Sequence, residues 1–193
     1  MALILASTSP IRRQMLEVAG VSFEAFRPDL NEDEAKARLD DAATIAAELA
    51  CAKALSVSAQ RTGDWVIGSD SVVRASGRLF DKPKDRDDAA EHLRFFSGKP
   101  MLLTSAVALA RDGDIDWHHA ETATLQLREL SDDFIASYLD AEWPEVGYTV
   151  GVFRLEGRGV QLFESIDGDH FAILGMPLLP LLGALRQRGL LRS

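Results

Sequence analysis

The stretch Leu3-Ile4-Leu5-Ala6-Ser7-Thr8-Ser9-Pro10-Ile11-Arg12-Arg13 leads from an apolar run into a helical pattern. Four apolar residues without alternation predict a strand that is covered on both faces, as in a parallel sheet. Ser9 and Pro10 suit the N-cap and the first position of a helix, which we predict over 11–19 with Gly20 at its end. A strand that passes directly into a helix is the building unit of α/β folds, so this stretch indicates the fold class.

Strand and helix patterns alternate along the rest of the chain. Apolar runs predict strands at 21–26, 65–68, 102–110, 120–127 and 160–166, and helical spacing predicts helices at 42–58, 85–96, 131–140 and 176–188. Residues 78–83 read as a loop, and Asp112-Gly113 as a turn. We therefore expect an α/β protein. Because no repeat or long linker interrupts the 193 residues, we predict a single domain over 1–193.

The composition excludes several classes of partner. Twenty-one Lys and Arg against 30 Asp and Glu give a net charge of −9, which argues against a nucleic acid polymer or an anionic membrane as the main partner. The single cysteine, Cys51, allows neither an internal disulfide nor a cysteine-based zinc site. The apolar run at 173–182 is too short to span a bilayer and holds two prolines. No leader segment is visible, so we expect a soluble protein of a reducing compartment.

The predicted start of the first helix offers several groups that bind anions. Ser7 and Ser9 supply hydroxyls there, beside unpaired backbone N–H groups and the positive end of the helix dipole. Arg12 and Arg13 oppose that dipole, at a cost of about 0.3–1 kcal/mol each, which a bound polyphosphate would offset. A solvated helix start with exposed arginines explains the same residues, and the pattern alone leaves both interpretations open.

Other charged residues stand at places where ligands bind in α/β proteins. Asp70 follows the predicted strand at 65–68, where ligands of open sheets bind, although an aspartate there can also cap a turn. Lys82 and Lys53 add cations, but a helical lysine between alanines, such as Lys53, ordinarily faces solvent. Glu32 lies in an acidic turn that can bind a metal or simply be solvated.

The histidines carry little sign of function. His92 is expected on the exposed face of a helix. His118 and His119 are expected at a strand turn, where neighbouring side chains point to opposite faces and make a poor metal pair.

Eight segments, in order along nearly the whole chain, together resemble the Maf family of nucleoside triphosphate pyrophosphatases. They are Leu5-Ala6-Ser7-Thr8-Ser9-Pro10-Ile11-Arg12-Arg13, Ala50-Cys51-Ala52-Lys53-Ala54, Gly68-Ser69-Asp70-Ser71, Lys82-Pro83, Ser97-Gly98-Lys99, Leu155-Glu156-Gly157, Ile166-Asp167-Gly168-Asp169 and Gly175-Met176-Pro177-Leu178.

The resemblance implies a fold, an activity and a location. The fold would be an elongated mixed sheet with flanking helices and a cleft between two lobes, like that of inosine triphosphate pyrophosphatases. The activity would be hydrolysis of a nucleoside triphosphate to the monophosphate and pyrophosphate, with Mg²⁺ or Mn²⁺ as cofactor. Family members are cytoplasmic, some form dimers, and the family is linked to arrest of septum formation.

The resemblance also implies roles for individual residues. Asp70 matches the catalytic proton acceptor, and Asp70 with Glu32 would hold the metal. Arg13 adds a cation beside the matched Arg12. The residues expected to bind the triphosphate are Ser7, Ser9, Arg12, Arg13, Lys53 and Lys82.

Three positions bear on the choice of base. Members that prefer dTTP and UTP carry Arg, Thr and Gln where this chain has Ile11, Ser71 and Glu156, and members that prefer 7-methyl-GTP carry Trp, Gln and Glu. Glu156 matches the second set, and a carboxylate can accept hydrogen bonds from the ring N–H and the amino group of guanine. Ile11 lacks the aromatic face that a cationic base favours. We predict a purine-type, 7-methyl-GTP-like preference, away from dTTP and UTP.

Two other functions fit the same residues. One is a nucleotide-binding regulator of septum formation and cell division that acts through a protein partner. The other is a phosphomonoesterase on a similar fold, which would release orthophosphate first. The presence of an acid together with a set of cations favours the pyrophosphatase.

Overall fold

A computed structural model describes residues 1–30 and 41–192. Its strands are β1 (Leu3–Ala6), β2 (Glu24–Phe26), β3 (Trp65–Ala75), β4 (Arg78–Phe80), β5 (Pro100–Arg111), β6 (Asp114–Leu127) and β7 (Phe163–Asp167). Its α-helices are α1 (Pro10–Val18), α2 (Ala42–Ser58), α3 (Arg86–Phe96), α4 (Asp132–Glu142), α5 (His170–Leu174) and α6 (Leu178–Gln187). Two 3₁₀ helices, Glu145–Tyr148 and Arg158–Leu162, complete the described elements.

The sheet is mixed. β1 pairs in parallel with β2 on one side and with β3 on the other, in a register that sets Ala6 opposite Phe26 and Gly68. β4 pairs with the end of β3 and β7 with the end of β6, both antiparallel, and the strand order is β2-β1-β3-β5-β6-β7. Because helices alternate with these strands, the predicted α/β class with a mixed sheet and flanking helices is confirmed.

The chain divides into two compact units, to which β3, β5 and β6 each contribute residues. Unit 1 comprises Met1–Ser71, Thr104–Glu121 and Asp169–Ser193, and unit 2 comprises Val72–Leu103 and Thr122–Gly168. The single domain expected over 1–193 stays a prediction.

Each unit has its own apolar interior. In unit 1, α1 and α6 pack on β1, β3 and β5 through a cluster that includes Leu5, Leu16, Ile67, Leu109 and Leu181, all of them buried. In unit 2, aromatic rings pack edge to face, with centroids 4.6 Å apart for Phe80 and Phe96 and 4.9 Å apart for Phe153 and Phe163. The geometry is that of favourable aromatic pairs.

Several boundaries differ from the predicted ones for local reasons. The second strand begins at Glu24, because Val21 instead closes α1 by donating its backbone N–H to Leu16 O at 2.9 Å, with Gly20 at a φ of +71°. The predicted loop at 78–83 contains β4, which pairs with β3.

Further along the chain, residues 160–162 form a 3₁₀ turn and not a strand, since short apolar runs do not distinguish the two. The helix α5 was not predicted. The predicted helix at 42–58 has the same bounds in the structure, and Asp112-Gly113 forms the turn between β5 and β6.

Two expectations about histidines were wrong. His92 is buried, with its ring 5.1 Å from that of Phe80, because α3 turns this residue toward the aromatic interior of unit 2. His118 and His119 lie within β6 and not at a turn, because β6 extends back to Asp114.

In the part of the chain that the structure describes, no helix is long and apolar enough to cross a membrane.

Candidate active site

The junction between β1 and α1 lies at the carboxyl end of β1, as predicted. Ser7 is buried, and its Oγ accepts the backbone N–H of Ser9 at 3.1 Å. Pro10 occupies the first turn of α1, and the Ser9 side chain makes no capping bond. The hydrogen bond of Ser7 therefore orders the loop that leads into the helix, and Ser9 is half-buried at the helix start.

Arg12 is tied to two other segments of unit 1. Its Nε donates to Gly175 O at 2.8 Å, and its Nη2 donates to Ser71 Oγ at 3.0 Å. Gly175 has a φ of +112°, which favours glycine, at the end of α5. Ser69 Oγ also donates to Gly175 O, at 3.1 Å. Arg12 is thus held inward by hydrogen bonds, whereas Arg13 and its neighbour Gln14 are exposed.

Gly68 lets α2 pack directly on β3. A Cβ at this position would lie 2.1 Å from Ala50 O and 2.6 Å from Ala54 N, so no larger residue fits without a shift of the helix backbone. This close approach brings Lys53, which stands between those two alanines, against the strand two residues beyond Gly68. The alanines around Lys53 are therefore packing residues, and Lys53 does not face solvent.

Lys53 and Asp70 form a buried ion pair. Lys53 Nζ lies 2.6 Å from Asp70 Oδ1, and each residue is only 7% exposed. Buried charges of this kind are retained when they are paired, and they are enriched at functional sites.

Neighbouring residues on β3 serve two separate groups of contacts. Side chains alternate along a strand. Asp70 contacts Lys53 of α2, whereas Ser69 and Ser71 contact Gly175 and Arg12. These residues follow Gly68, the last partner of β1 on β3, so they lie just beyond the carboxyl end of a parallel strand pair. Ligands of α/β sheets bind at such ends.

Two predicted site residues belong to unit 2. Lys82 is exposed and follows β4. Glu156 lies in the segment between the two 3₁₀ helices, where its Oε1 accepts from Arg154 Nε at 3.3 Å. Ile11, the remaining specificity candidate, is half-buried in the first turn of α1 in unit 1.

The donor set at Asp70 suits a magnesium-like ion. Mg²⁺ commonly binds through one or two protein carboxylates, with substrate phosphate oxygens and water completing its shell. Asp70 supplies one such carboxylate, whose Oδ1 accepts from Lys53. Among residues 1–30 and 41–192, no group of three His, Cys, Asp or Glu side chains is arranged to hold a metal, and Glu32 lies outside these residues.

Cys51 neighbours Lys53 along α2 but is not suited to nucleophilic chemistry. Burial, and then the carboxylate of Glu48, raise the pKa of its thiol, so the neutral form is favoured.

Three residues that take part in the hydrogen bonds around Arg12 and Ser71 were not singled out from the sequence. Ser69 and Gly175 lie inside segments that carried the family resemblance, so that resemblance was the available signal. Ser105, whose Oγ lies 2.8 Å from Ser71 Oγ, sits in an apolar strand pattern that gave no signal of a polar role.

Comparison with known proteins gives close relatives over the full length. The chain is 49% identical over 191 residues to the "7-methyl-GTP pyrophosphatase" of Rhizobium etli, covering 97% of this chain and 96% of that protein. It is 48% identical over 191 residues to the "Nucleoside triphosphate pyrophosphatase" of Nitrobacter hamburgensis, covering 98% and 95%. The structure of the Staphylococcus aureus Ham1 protein is similar at a TM-score of 0.48 and 15% identity, over 97% of this chain and 98% of that one.

A family model described as "Maf-like protein" matches residues 2–188. That span includes β1, α1, Lys53, Asp70 and the Gly175 turn, which together form the site described above. The resemblance inferred from eight sequence segments is confirmed, and the chain belongs to the Maf-like protein family.

Proposed function

We propose that this protein hydrolyses a nucleoside triphosphate to the monophosphate and pyrophosphate, and that it removes non-canonical nucleotides. The buried Lys53–Asp70 pair beside the Arg12 hydrogen bonds is the observation that carries the proposal, because it combines a carboxylate with cations at a strand end. The names of the relatives from Rhizobium etli and Nitrobacter hamburgensis, both pyrophosphatases of nucleotides, support the same reaction.

In the reaction, a water molecule attacks the α-phosphorus, and Asp70 accepts its proton. A new bond forms between the water oxygen and the α-phosphorus, while the bond from that phosphorus to the α,β-bridging oxygen breaks. Pyrophosphate leaves with the bridging oxygen and its electron pair. Lys53 orients Asp70 for this step, since its ammonium group lies 2.6 Å from Oδ1.

The other cations are proposed to bind the triphosphate. Arg12 presents a planar guanidinium that donates to Gly175 O and Ser71 Oγ, and such a group suits bidentate recognition of phosphate. Arg13 and Lys82 are exposed cations that would add attraction for the polyanion, and Ser7 and Ser9 would add hydroxyl or backbone contacts at the helix start.

A divalent cation is proposed as cofactor, with Asp70 as ligand and Glu32 as a second candidate. Mg²⁺ or Mn²⁺, when bound, would neutralise charge that develops on the phosphate oxygens.

A purine-type base, of which 7-methyl-GTP is the best candidate, is the proposed preference. Glu156 can accept hydrogen bonds from the ring N–H and amino group of a guanine edge. Its carboxylate is held by Arg154 Nε at 3.3 Å, which restricts its orientation. The relatives of Rhizobium etli and Rhizobium meliloti, at 49% and 44% identity, are named 7-methyl-GTP pyrophosphatases.

The test is a nucleotide panel with identification of products. Purified protein with Mg²⁺ or Mn²⁺ is given 7-methyl-GTP, GTP, ITP, dTTP and UTP, and products are separated by ion exchange. We expect monophosphate and pyrophosphate, with 7-methyl-GTP favoured over dTTP and UTP. Asp70→Asn should lower the rate by about 10²–10⁴-fold, while the exposed Asp133→Asn should not change it. Orthophosphate as the first product, or no release from any nucleotide, contradicts the proposal.

A further inference from the structure

Ser105 is a fully buried serine on β5 whose hydroxyl reaches the residue that follows Asp70. It has no exposed surface, and its Oγ lies 2.8 Å from Ser71 Oγ. Ser71 Oγ in turn lies 3.0 Å from Arg12 Nη2 and 3.2 Å from Gly175 O. A chain of hydrogen bonds therefore leads from the interior of unit 1 to the Arg12 guanidinium.

Each of these hydrogen bonds can be assigned one donor and one acceptor in a single consistent way. Arg12 can only donate, so Ser71 Oγ accepts from it, and Gly175 O can only accept, so Ser71 donates its single proton there. Ser71 then has one lone pair left, and Ser105 must be the donor of the 2.8 Å bond. In this arrangement every hydrogen-bonding capacity of the Ser71 hydroxyl is used.

Loss of the Ser105 hydroxyl would remove one of the hydrogen bonds that hold the Ser71 side chain. Without it, the second lone pair of Ser71 Oγ loses its donor and the Ser71 side chain loses a buried contact, so Ser71 Oγ is held less firmly in place. Gly175 O is also the acceptor for Arg12 Nε at 2.8 Å and for Ser69 Oγ at 3.1 Å. The guanidinium donates to Ser71 Oγ and to Gly175 O, and these two acceptors are themselves hydrogen-bonded, so a displaced Ser71 side chain would disturb the position of Arg12.

We propose that Ser105 is a positioning residue for the reaction, which orients the triphosphate-binding Arg12 through Ser71. The proposal rests on the function proposed above. Ser105 has no exposed surface, and its hydroxyl bonds Ser71, whereas Asp70, the residue before Ser71 on β3, bonds Lys53 of α2. Its effect should therefore fall on binding of the triphosphate and not on proton transfer to Asp70.

The experiment is a double-mutant cycle on Ser105→Ala and Ser71→Ala, with Ser58→Ala as the matched control. Ser58 is also a buried serine of unit 1, and its Oγ accepts from Gly113 N at 3.0 Å, in a turn. For each variant, KM and kcat are measured on the best nucleotide of the panel. Binding of its non-hydrolysable α,β-methylene analogue is measured by calorimetry, and folding is measured by thermal unfolding.

We expect Ser105→Ala to raise both KM and the dissociation constant of the analogue about five- to tenfold, with kcat changed less than about twofold and the pH profile unchanged. In the Ser71→Ala background, Ser105→Ala should have little further effect, because the two residues act in series. Ser58→Ala should lower the unfolding temperature without changing KM.

The proposal is overturned if Ser105→Ala leaves KM and analogue binding unchanged, or if the two substitutions act additively. It is also overturned if Ser58→Ala raises KM as much as Ser105→Ala, since the effect would then be one of general stability. An inactive wild-type protein would instead refute the proposed function, and analogue binding by the four variants would still decide whether Ser105 orients Arg12.

Discussion

Lys53 and Asp70 are joined at 2.6 Å in the interior of unit 1, although they stand 17 residues apart on a helix and a strand. With side chains only 9% and 11% exposed, neither charge is well solvated. Removal of one partner breaks this buried ion pair, at a typical cost of about 3–5 kcal/mol.

The first prediction concerns the stability of this pair. Lys53→Met and Asp70→Asn should each lower the free energy of unfolding by about 3–5 kcal/mol. The double variant should lose less than the sum of the two, since either single substitution already breaks the ion pair. Urea unfolding of the three variants and the wild-type protein measures this coupling. Additive losses would show that the two side chains do not depend on each other.

The second prediction concerns Gly68. Gly68→Ala should separate α2 from β3, because the new Cβ would meet backbone atoms of Ala50 and Ala54 at 2.1 and 2.6 Å. We expect a loss of stability of about 3 kcal/mol or more, together with loss of hydrolysis.

Gly183→Ala is the matched control for this change. Gly183 lies in α6, where a Cβ would meet no described side chain or neighbouring element within 4 Å, so alanine there should be neutral or stabilising by up to about 1 kcal/mol. Equal effects at the two glycines, measured by chemical denaturation, would refute the packing argument for Gly68.

The third prediction concerns pH and His92. Burial lowers the pKa of His92 from 6.5, an effect that Arg78 reinforces and Asp88 opposes, and its Nδ1 is buried without a described partner. The unfolded chain therefore binds a proton at a higher pH than the folded protein does. The free energy of unfolding should therefore decrease as the pH falls from 6.5 toward the lower pKa of folded His92, because protonation of this residue favours the unfolded chain.

His92→Leu should remove this pH dependence, while it keeps the packing against Phe80. The measurement is the free energy of unfolding between pH 8 and pH 5 for both proteins. An identical decline in the variant would assign the acid sensitivity to other groups.

The fourth prediction concerns Tyr138, whose hydroxyl donates to Val152 O at 3.0 Å. Val152 has a φ of +56°, an unusual conformation for a β-branched residue, so its backbone depends on neighbouring contacts. Tyr138→Phe leaves that buried carbonyl without this donor and should cost about 1–3 kcal/mol. Tyr148→Phe, at a residue that is 68% exposed, should change stability by less than about 0.5 kcal/mol. Thermal unfolding of the two variants distinguishes these outcomes.

The fifth prediction concerns the choice of base. Glu156→Gln replaces an acceptor-only group with an amide, which should reduce the preference for 7-methyl-GTP over UTP by about 10-fold or more. Glu164→Gln, at an exposed residue of β7, should not change that ratio. Ratios of kcat/KM for the two nucleotides provide the readout, and an unchanged ratio in Glu156→Gln would remove Glu156 from base recognition.

The strand-to-helix passage at the start of the chain was predictable because its signals are local. Apolar residues without alternation, followed by Ser9 and Pro10, specify a covered strand and a helix start within a few residues, and β1 and α1 lie there. The α2 helix was predictable for the same reason. β4 was not, because three residues without a clear pattern become a strand only by pairing with β3.

The sequence by itself determined the α/β class, the family and the identity of the candidate catalytic acid, because these follow from local pattern and from the order of motifs. Tertiary structure alone decided that Lys53 is buried and ion-paired, since by its immediate neighbours it is an ordinary surface lysine. The physical reason is the missing Cβ of Gly68, which lets α2 approach β3 until Lys53 meets Asp70. Only the tertiary structure could show the link from Ser105 to Arg12 as well. It depends on a side-chain hydrogen bond between β3 and β5, and the residue spacing of neither strand predicts such a bond.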